Sequence, residues 1–197
     1  MATLSKRRLL GIDRSGPQPA ATRAGAPLRP LTVPNLVVYA RLAAIPAFAY
    51  LAFESGDGRA AGAAAIFFLI AAGDYLDGFL ARLTGQYSRL GTLLDPVVDR
   101  LTVLCGAAVC WHFALLPRWA LATLAGREVA TLAIARIGLW RGRDVEINWL
   151  GRIAVFAVMS SIFWAMVVDW WGVEAIFVAG VTVGVAATLV YLRQGWR

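Results

Sequence analysis

Asp74, Asp77, Asp95 and Asp99 fall within 26 residues, and all four lie in or beside long apolar runs. A charged side chain at mid-bilayer costs about 2.5–3.5 kcal/mol on insertion scales, so four facing lipid would cost roughly 10–14 kcal/mol. They must instead face a polar cavity, a partner charge or a metal. On helices, Asp74 and Asp77 (i, i+3) lie about 60° apart and Asp95 and Asp99 (i, i+4) about 40° apart, so each pair projects from one face. Antiparallel packing of the two runs brings the pairs together. Four like charges in one place repel, divalent cations relieve that repulsion, and carboxylate oxygens are the ligands of Mg2+ and Mn2+. Two such ions a few ångströms apart clamp both oxygens of an in-line phosphoryl displacement.

The neighbouring residues suit the same chemistry. Gly78 and Ala81 lie on or near the Asp74–Asp77 face, and Gly91, Asp95 and Asp99 form an i, i+4, i+8 stripe if the helix begins near Gly91. Small residues there leave room for a flat, bulky ligand, and Arg82, one turn after Gly78, is placed for a phosphate. Singly, each feature has a plainer reading. Asp77-Gly78 is compatible with a turn, Asp95-Pro96 with an N-cap followed by proline, and Arg82 and Arg89 with anchors at a membrane edge. Those readings leave unexplained why four acids gather beside small residues.

The elements that must position these groups are helices in a membrane. Hydrophobic residues make up 59% of the 197-residue chain and charged residues 16%, against about 25% charged in soluble domains. Six apolar stretches of roughly span length run near 34–53, 60–80, 93–113, 119–139, 149–168 and 173–192. Only helices or closed barrels satisfy backbone polar groups in lipid, and long non-alternating runs rich in Ala and Leu predict helices. The expected fold is all-α and integral to the membrane, with six transmembrane helices over residues 31–197. A basic, flexible N-terminal tail, 1–30, precedes them. The tail's Lys6, Arg7 and Arg8 precede only a short apolar stretch, too short for a secretory signal core.

The net charge of +7 sits largely in the tail and in the short connections. That distribution points to topology and anionic lipid rather than nucleic acid. Arg82 and Arg89, Arg141 and Arg143, and Arg193 and Arg197 place the second and fourth connections and the C-terminus on the side of the basic tail. The positive-inside rule makes that side cytoplasmic. Trp119, Trp149, Trp170, Trp171 and Trp196 fit an interfacial belt. Cys105 and Cys110, about 140° apart on a helix, read as small apolar residues, and His112 reads as interfacial.

The stretch Asp74-Tyr-Leu-Asp77-Gly78-Phe-Leu-Ala81-Arg82, eight residues, Gly91, three residues, Asp95, three residues, Asp99 resembles the CDP-alcohol phosphatidyltransferase signature at all eight specified positions. The resemblance implies that Asp74, Asp77 and Asp95 bind two divalent metal ions, Mg2+ or Mn2+. It implies that Asp99 takes the acceptor's proton and touches a metal. Gly78, Ala81 and Gly91 make space for the cytidine nucleotide of CDP-diacylglycerol, and Arg82 contacts its phosphates. It further implies a homodimer in the bacterial plasma membrane with a cytoplasmic active site.

For the acceptor, Val33-Pro34-Asn35 through Arg41, Arg127-Glu128 and Trp149-Leu150-Gly151-Arg152 resemble the members that use glycerol 3-phosphate, the phosphatidylglycerophosphate synthases. On that resemblance Arg127, Arg136 and Arg152 hold the acceptor phosphate; paired helix-end charges are the plainer reading. The segment 148–159 departs from that branch and resembles the actinobacterial cardiolipin synthases, which use phosphatidylglycerol. Inositol phosphate is less similar. Glycerol 3-phosphate is the first expectation and phosphatidylglycerol the second. Outside this chemistry, a cation transporter would also place carboxylates in a membrane, but it has no need of Gly78, Ala81, Arg82 and Gly91 at these spacings. A non-enzymatic metal-stabilised scaffold would make Asp99→Asn a folding defect first.

Overall fold

The structure is a computed structural model that describes residues 20–22, 26–140 and 149–195. Most of the tail lies outside them, as do Arg141, Arg143, Trp196 and Arg197, so the expectations placed on those residues have no structural counterpart. Among the described residues there are six long helices: α1 Val33–Glu54, α2 Ala61–Thr84, α3 Arg89–His112, α4 Arg118–Trp140, α5 Trp149–Ala165 and α6 Trp171–Gly195. They answer one for one to the six apolar stretches, and there are no strands among the described residues.

Local chemistry sets the ends. Thr32 caps α1, its hydroxyl accepting the Asn35 N–H at 3.4 Å, and Ser88 caps α3, accepting the Gly91 N–H at 2.9 Å. Gly85, with φ of 65°, follows Thr84 and ends α2 in the left-handed conformation that a side chain disfavours. Two of the plainer readings fail here. Asp77 and Gly78 lie inside α2 rather than in a turn. Pro96 lies well inside α3, so Asp95 is not an N-cap. Because α3 begins at Arg89, Gly91, Asp95 and Asp99 do share one stripe.

This is an integral membrane protein. α1, α2 and the first 20 residues of α6 are each long and apolar enough to cross a membrane. The other three fall short of that standard for physical reasons. α5 has 17 residues, α3 carries Arg89, Asp95, Asp99 and Arg100, and α4 carries Arg118, Arg127, Glu128 and Arg136. Phe68, Leu69, Trp149, Phe156 and Trp171 are exposed, as lipid-facing side chains would be.

The chain divides into two compact units. The first takes in the described residues of Met1–Phe48 and Ala65–Thr102, the second those of Ala49–Ala64 and Val103–Arg197. In the first, Val38, Phe48, Phe67, Ile70 and Val98 are buried, and the Phe48 and Phe67 rings lie 5.3 Å apart. In the second, Val109, Leu121, Leu124, Ile162 and Phe177 are buried, and α6 packs on both α5 and α4. His112 rests against Phe53 and Phe113 in exposed surroundings, which suits an interfacial ring. Cys110 is fully buried and Cys105 partly so, both as free thiols.

The α5–α6 seam depends on a small residue. A Cβ on Gly180 would lie 2.9 Å from the Ala157 Cβ and 3.3 Å from the Val158 backbone nitrogen. Gly180→Val is therefore expected to destabilise by about 1–3 kcal/mol through overpacking. Gly126→Ala, with nothing within 4 Å of the new carbon, should be neutral or stabilising by up to about 1 kcal/mol from helix propensity. Thermal unfolding in detergent measures both.

Candidate active site

The four aspartates all fall in the first unit, Asp74 and Asp77 on α2 and Asp95 and Asp99 on α3. What gathers three of them is a residue of α1. The Arg41 side chain is 4% exposed. Its Nη1 lies 3.0 Å from Asp77 Oδ2 and 3.4 Å from Asp74 Oδ1, and its Nη2 lies 2.5 Å from Asp99 Oδ1. Its Nε donates to the Ile70 carbonyl at 2.9 Å, so the guanidinium plane is held by main chain as well as by acid. Gly73 opens the path: a Cβ there would lie 2.7 Å from Arg41 Cδ and 2.8 Å from Cγ.

The carboxylates differ in access. The Asp77 side chain is nearly buried at 7% exposure, whereas those of Asp74 and Asp99 are about half open, at 53% and 46%. Asp95 has no hydrogen-bonded contact with Arg41, and its Oδ1 is buried without a partner. A buried carboxylate oxygen left unpaired is costly, and in a ring of hard oxygen donors a divalent cation is the natural remedy. The donor set thus fits Mg2+ or Mn2+. Among the described residues, however, no three acidic, histidine or cysteine side chains stand close enough together to ligate an ion; three of the acids turn to Arg41 instead.

Beside the acids opens a small cleft of roughly 80 Å³, bounded by Asp77, Gly78, Ala81, Gly91, Thr92 and Asp95 and by Pro34, Asn35 and Gln86. Gly78 sits beneath Arg82, whose Nη1 is 3.3 Å from where a Cβ would be. The smallness of Gly91, which lines the cleft, also serves the packing of the protein itself. A Cβ on Gly91 would meet Asn35 Oδ1 at 2.7 Å and Ser88 Oγ at 3.1 Å, so the glycine makes room for protein as well.

Those two side chains form a latch. Asn35 Nδ2 donates to the carbonyls of Arg29 and Pro30 at 3.0 and 3.1 Å. Ser88 Oγ donates to Asn35 Oδ1 at 2.7 Å while it caps α3. The Val33 N–H reaches Gln86 Oε1 at 3.0 Å and the Leu90 N–H reaches the Leu28 carbonyl at 3.3 Å. Arg29 is held at φ of 43°, unfavourable for a residue with a side chain. The residues entering α1 are in this way tied to those entering α3 beside the cleft.

Arg127 and Arg152 belong to the second unit. Arg127 Nη1 pairs with Glu128 Oε1 at 2.6 Å, both side chains being largely buried, and its Nε has no partner. This is the charge pairing that the plainer reading anticipates. Arg152 is exposed on α5, and the side chain of Arg136 lies outside the described residues. Sequence reasoning missed Arg41, Asn35, Ser88 and Gly73 as site residues. Arg41 did carry a signal, since a lone cation within an apolar run raises the same question as the acids.

The family pattern described as CDP-alcohol phosphatidyltransferase matches residues 31–191. A cardiolipin synthase (CMP-forming) of Streptomyces coelicolor is 37% identical over 139 residues, 68% of this chain and 64% of that protein. The CDP-diacylglycerol–glycerol-3-phosphate 3-phosphatidyltransferase of Escherichia coli K12 is 30% identical over 161 residues, 76% of this chain and 87% of that protein. The chain thus spans slightly under two thirds of the Streptomyces relative.

The latch makes a differential prediction. Gly91→Ala should break the Asn35–Ser88 contact and cost about 1–3 kcal/mol, the scale of an unpaired buried polar group. Gly78→Ala makes a looser contact, 3.3 Å to Arg82 Nη1 against 2.7 Å to Asn35 Oδ1 at Gly91, and should lower the melting temperature less. Paired melting curves in detergent read the difference.

Proposed function

The chain belongs to the CDP-alcohol phosphatidyltransferase family, and from that premise we propose that it transfers a phosphatidyl group from CDP-diacylglycerol to the hydroxyl of a glycerol-type acceptor, with release of CMP. The observation that carries this reading is the gathering of Asp74, Asp77 and Asp99 around Arg41, with Asp95 and Asp77 also bounding the cleft of Gly78, Ala81 and Gly91. A transporter or a scaffold needs no such cleft beside the acids.

The roles follow from position and access. Asp74, Asp77, Asp95 and Asp99 supply the oxygens for two divalent cations. Bound Mg2+ or Mn2+ would neutralise the pyrophosphate and the departing CMP. Arg82, above Gly78, contacts the nucleotide phosphates. Asp99, half open, takes the proton of the acceptor hydroxyl. The hydroxyl oxygen then bonds to the lipid-side phosphorus as the bond from that phosphorus to the CMP oxygen breaks. The six helices cross the bacterial plasma membrane with both termini and the cleft on the cytoplasmic side, in a homodimer.

Two observations favour phosphatidylglycerol as the acceptor over the glycerol 3-phosphate first expected. The Streptomyces cardiolipin synthase shares more identity than the Escherichia coli protein does. Arg127 already has its charge offset by Glu128, which weakens it as a phosphate clamp. The glycerol 3-phosphate reading draws on the longer match to the Escherichia coli protein.

Purified protein with CDP-diacylglycerol and Mg2+ or Mn2+ should release CMP on addition of phosphatidylglycerol, and not with serine or inositol phosphate. Release with glycerol 3-phosphate alone would overturn the acceptor choice. Asp99→Asn should lower turnover about 10²–10⁴-fold with the melting temperature retained, and EDTA should abolish release until a divalent ion is restored. No release with any acceptor from folded, metal-loaded protein sinks the enzymatic reading.

A further inference from the structure

Arg41 has the burial and contacts of a built component rather than of a helix-end anchor. Its side chain is 4% exposed within an apolar helix, and every nitrogen of its guanidinium is engaged: Nε by the Ile70 carbonyl, Nη1 by Asp74 and Asp77, Nη2 by Asp99. Arginine stays charged in any surroundings. The three pairs come from two other helices, and the gap they need is kept by Gly73. A helix interior normally avoids glycine by about 1 kcal/mol relative to alanine, so room for Arg41 is the physical reason this position has no side chain.

We infer that Arg41 is a positioning residue, an internal counter-cation that holds Asp74, Asp77 and Asp99 together before a divalent cation arrives and then competes with that cation for them. The inference rests on the metal-binding role proposed above for the four acids. Its distinctive content is the sign of the effect. An arginine that merely shaped the metal site would strengthen metal binding, whereas a counter-cation weakens it, because each oxygen given to the metal must first leave a charge-assisted hydrogen bond. The Nε contact to the Ile70 carbonyl involves no carboxylate, so Arg41 can stay anchored while Nη1 and Nη2 release their partners. Asp95 stands apart from this competition. Its buried Oδ1 has no hydrogen-bond partner to give up.

The test is a Mn2+ titration of purified protein, following the electron paramagnetic resonance signal of the free ion, with melting curves in EDTA and in saturating Mn2+. Arg41→Gln should bind Mn2+ about ten-fold more tightly, the scale of one lost charge-assisted hydrogen bond. Its melting temperature should fall in EDTA and recover most of the difference in Mn2+. Arg41→Lys, with the charge but not the fork, should fall between. Unchanged or weaker Mn2+ binding by Arg41→Gln, or an equal melting loss with and without metal, overturns the inference. If Arg41→Gln does not fold, Arg41→Lys and Gly73→Ala carry the comparison, since both loosen the guanidinium's hold and should tighten Mn2+ binding. A wild-type protein that binds no Mn2+ would instead refute the metal-binding role itself, so the two failures are distinguishable without any assay of turnover.

Discussion

Carboxylates inside apolar helices must be answered by charge, and in this protein one guanidinium answers three of them. Arg41 reaches from α1 to acids on α2 and α3, so the first unit is organised about an ionic centre as much as an apolar one. Such a centre is a poor source of net stability, because desolvating the ions offsets most of their attraction. Its value is geometric. It fixes which faces of three helices meet, and the apolar contacts of Val38, Phe48, Phe67, Ile70 and Val98 then supply the cohesion.

The small residues of this unit do three different things. Gly73 makes way for one guanidinium, Gly91 for an amide and a hydroxyl, and Gly78 for the guanidinium of Arg82. On a helical wheel the three look alike, as absences of bulk beside acids. In the folded protein one serves charge balance, one serves the latch between the residues entering α1 and α3, and one leaves open space at the cleft. Treating them as a uniform stripe that accommodates nucleotide would miss the first two.

Much of this was legible in the sequence. The cost of acids in an apolar segment exposed Asp74, Asp77, Asp95 and Asp99 as a set, and helical spacing put each pair on one face, as the structure has it. The six helices follow from hydropathy and length alone. What stayed hidden depends on distance along the chain. Asn35 and Ser88 are 53 residues apart, and nothing local in either says that they touch. Asn35 reads as an ordinary residue of a helix's first turn and Ser88 as an ordinary cap. The reason for Gly91 was unreadable for the same cause, since it depends on a side chain from another helix. Arg41 was hidden differently: weighed as part of a resemblance, it escaped the energetic question put to the acids. The acid cluster came out as three groups on an arginine, with Asp95 apart, because spacing fixes the face a side chain leaves from and not which charge it finds.

The placement of Arg41 also bears on how the protein enters the membrane. Its partners follow it in the chain by 33, 36 and 58 residues, so a ribosome completes α1 before any of its acids exist. On insertion scales the unpaired cation costs about 2.5–3.5 kcal/mol near a helix centre, and the apolar remainder of α1 must carry it through that interval. The acids of α2 arrive next and the last one only with α3, so the pairing is completed in the order of synthesis. Biogenesis of the first unit is in this sense a relay, in which an early and costly charge waits in the bilayer for the segments that will need it.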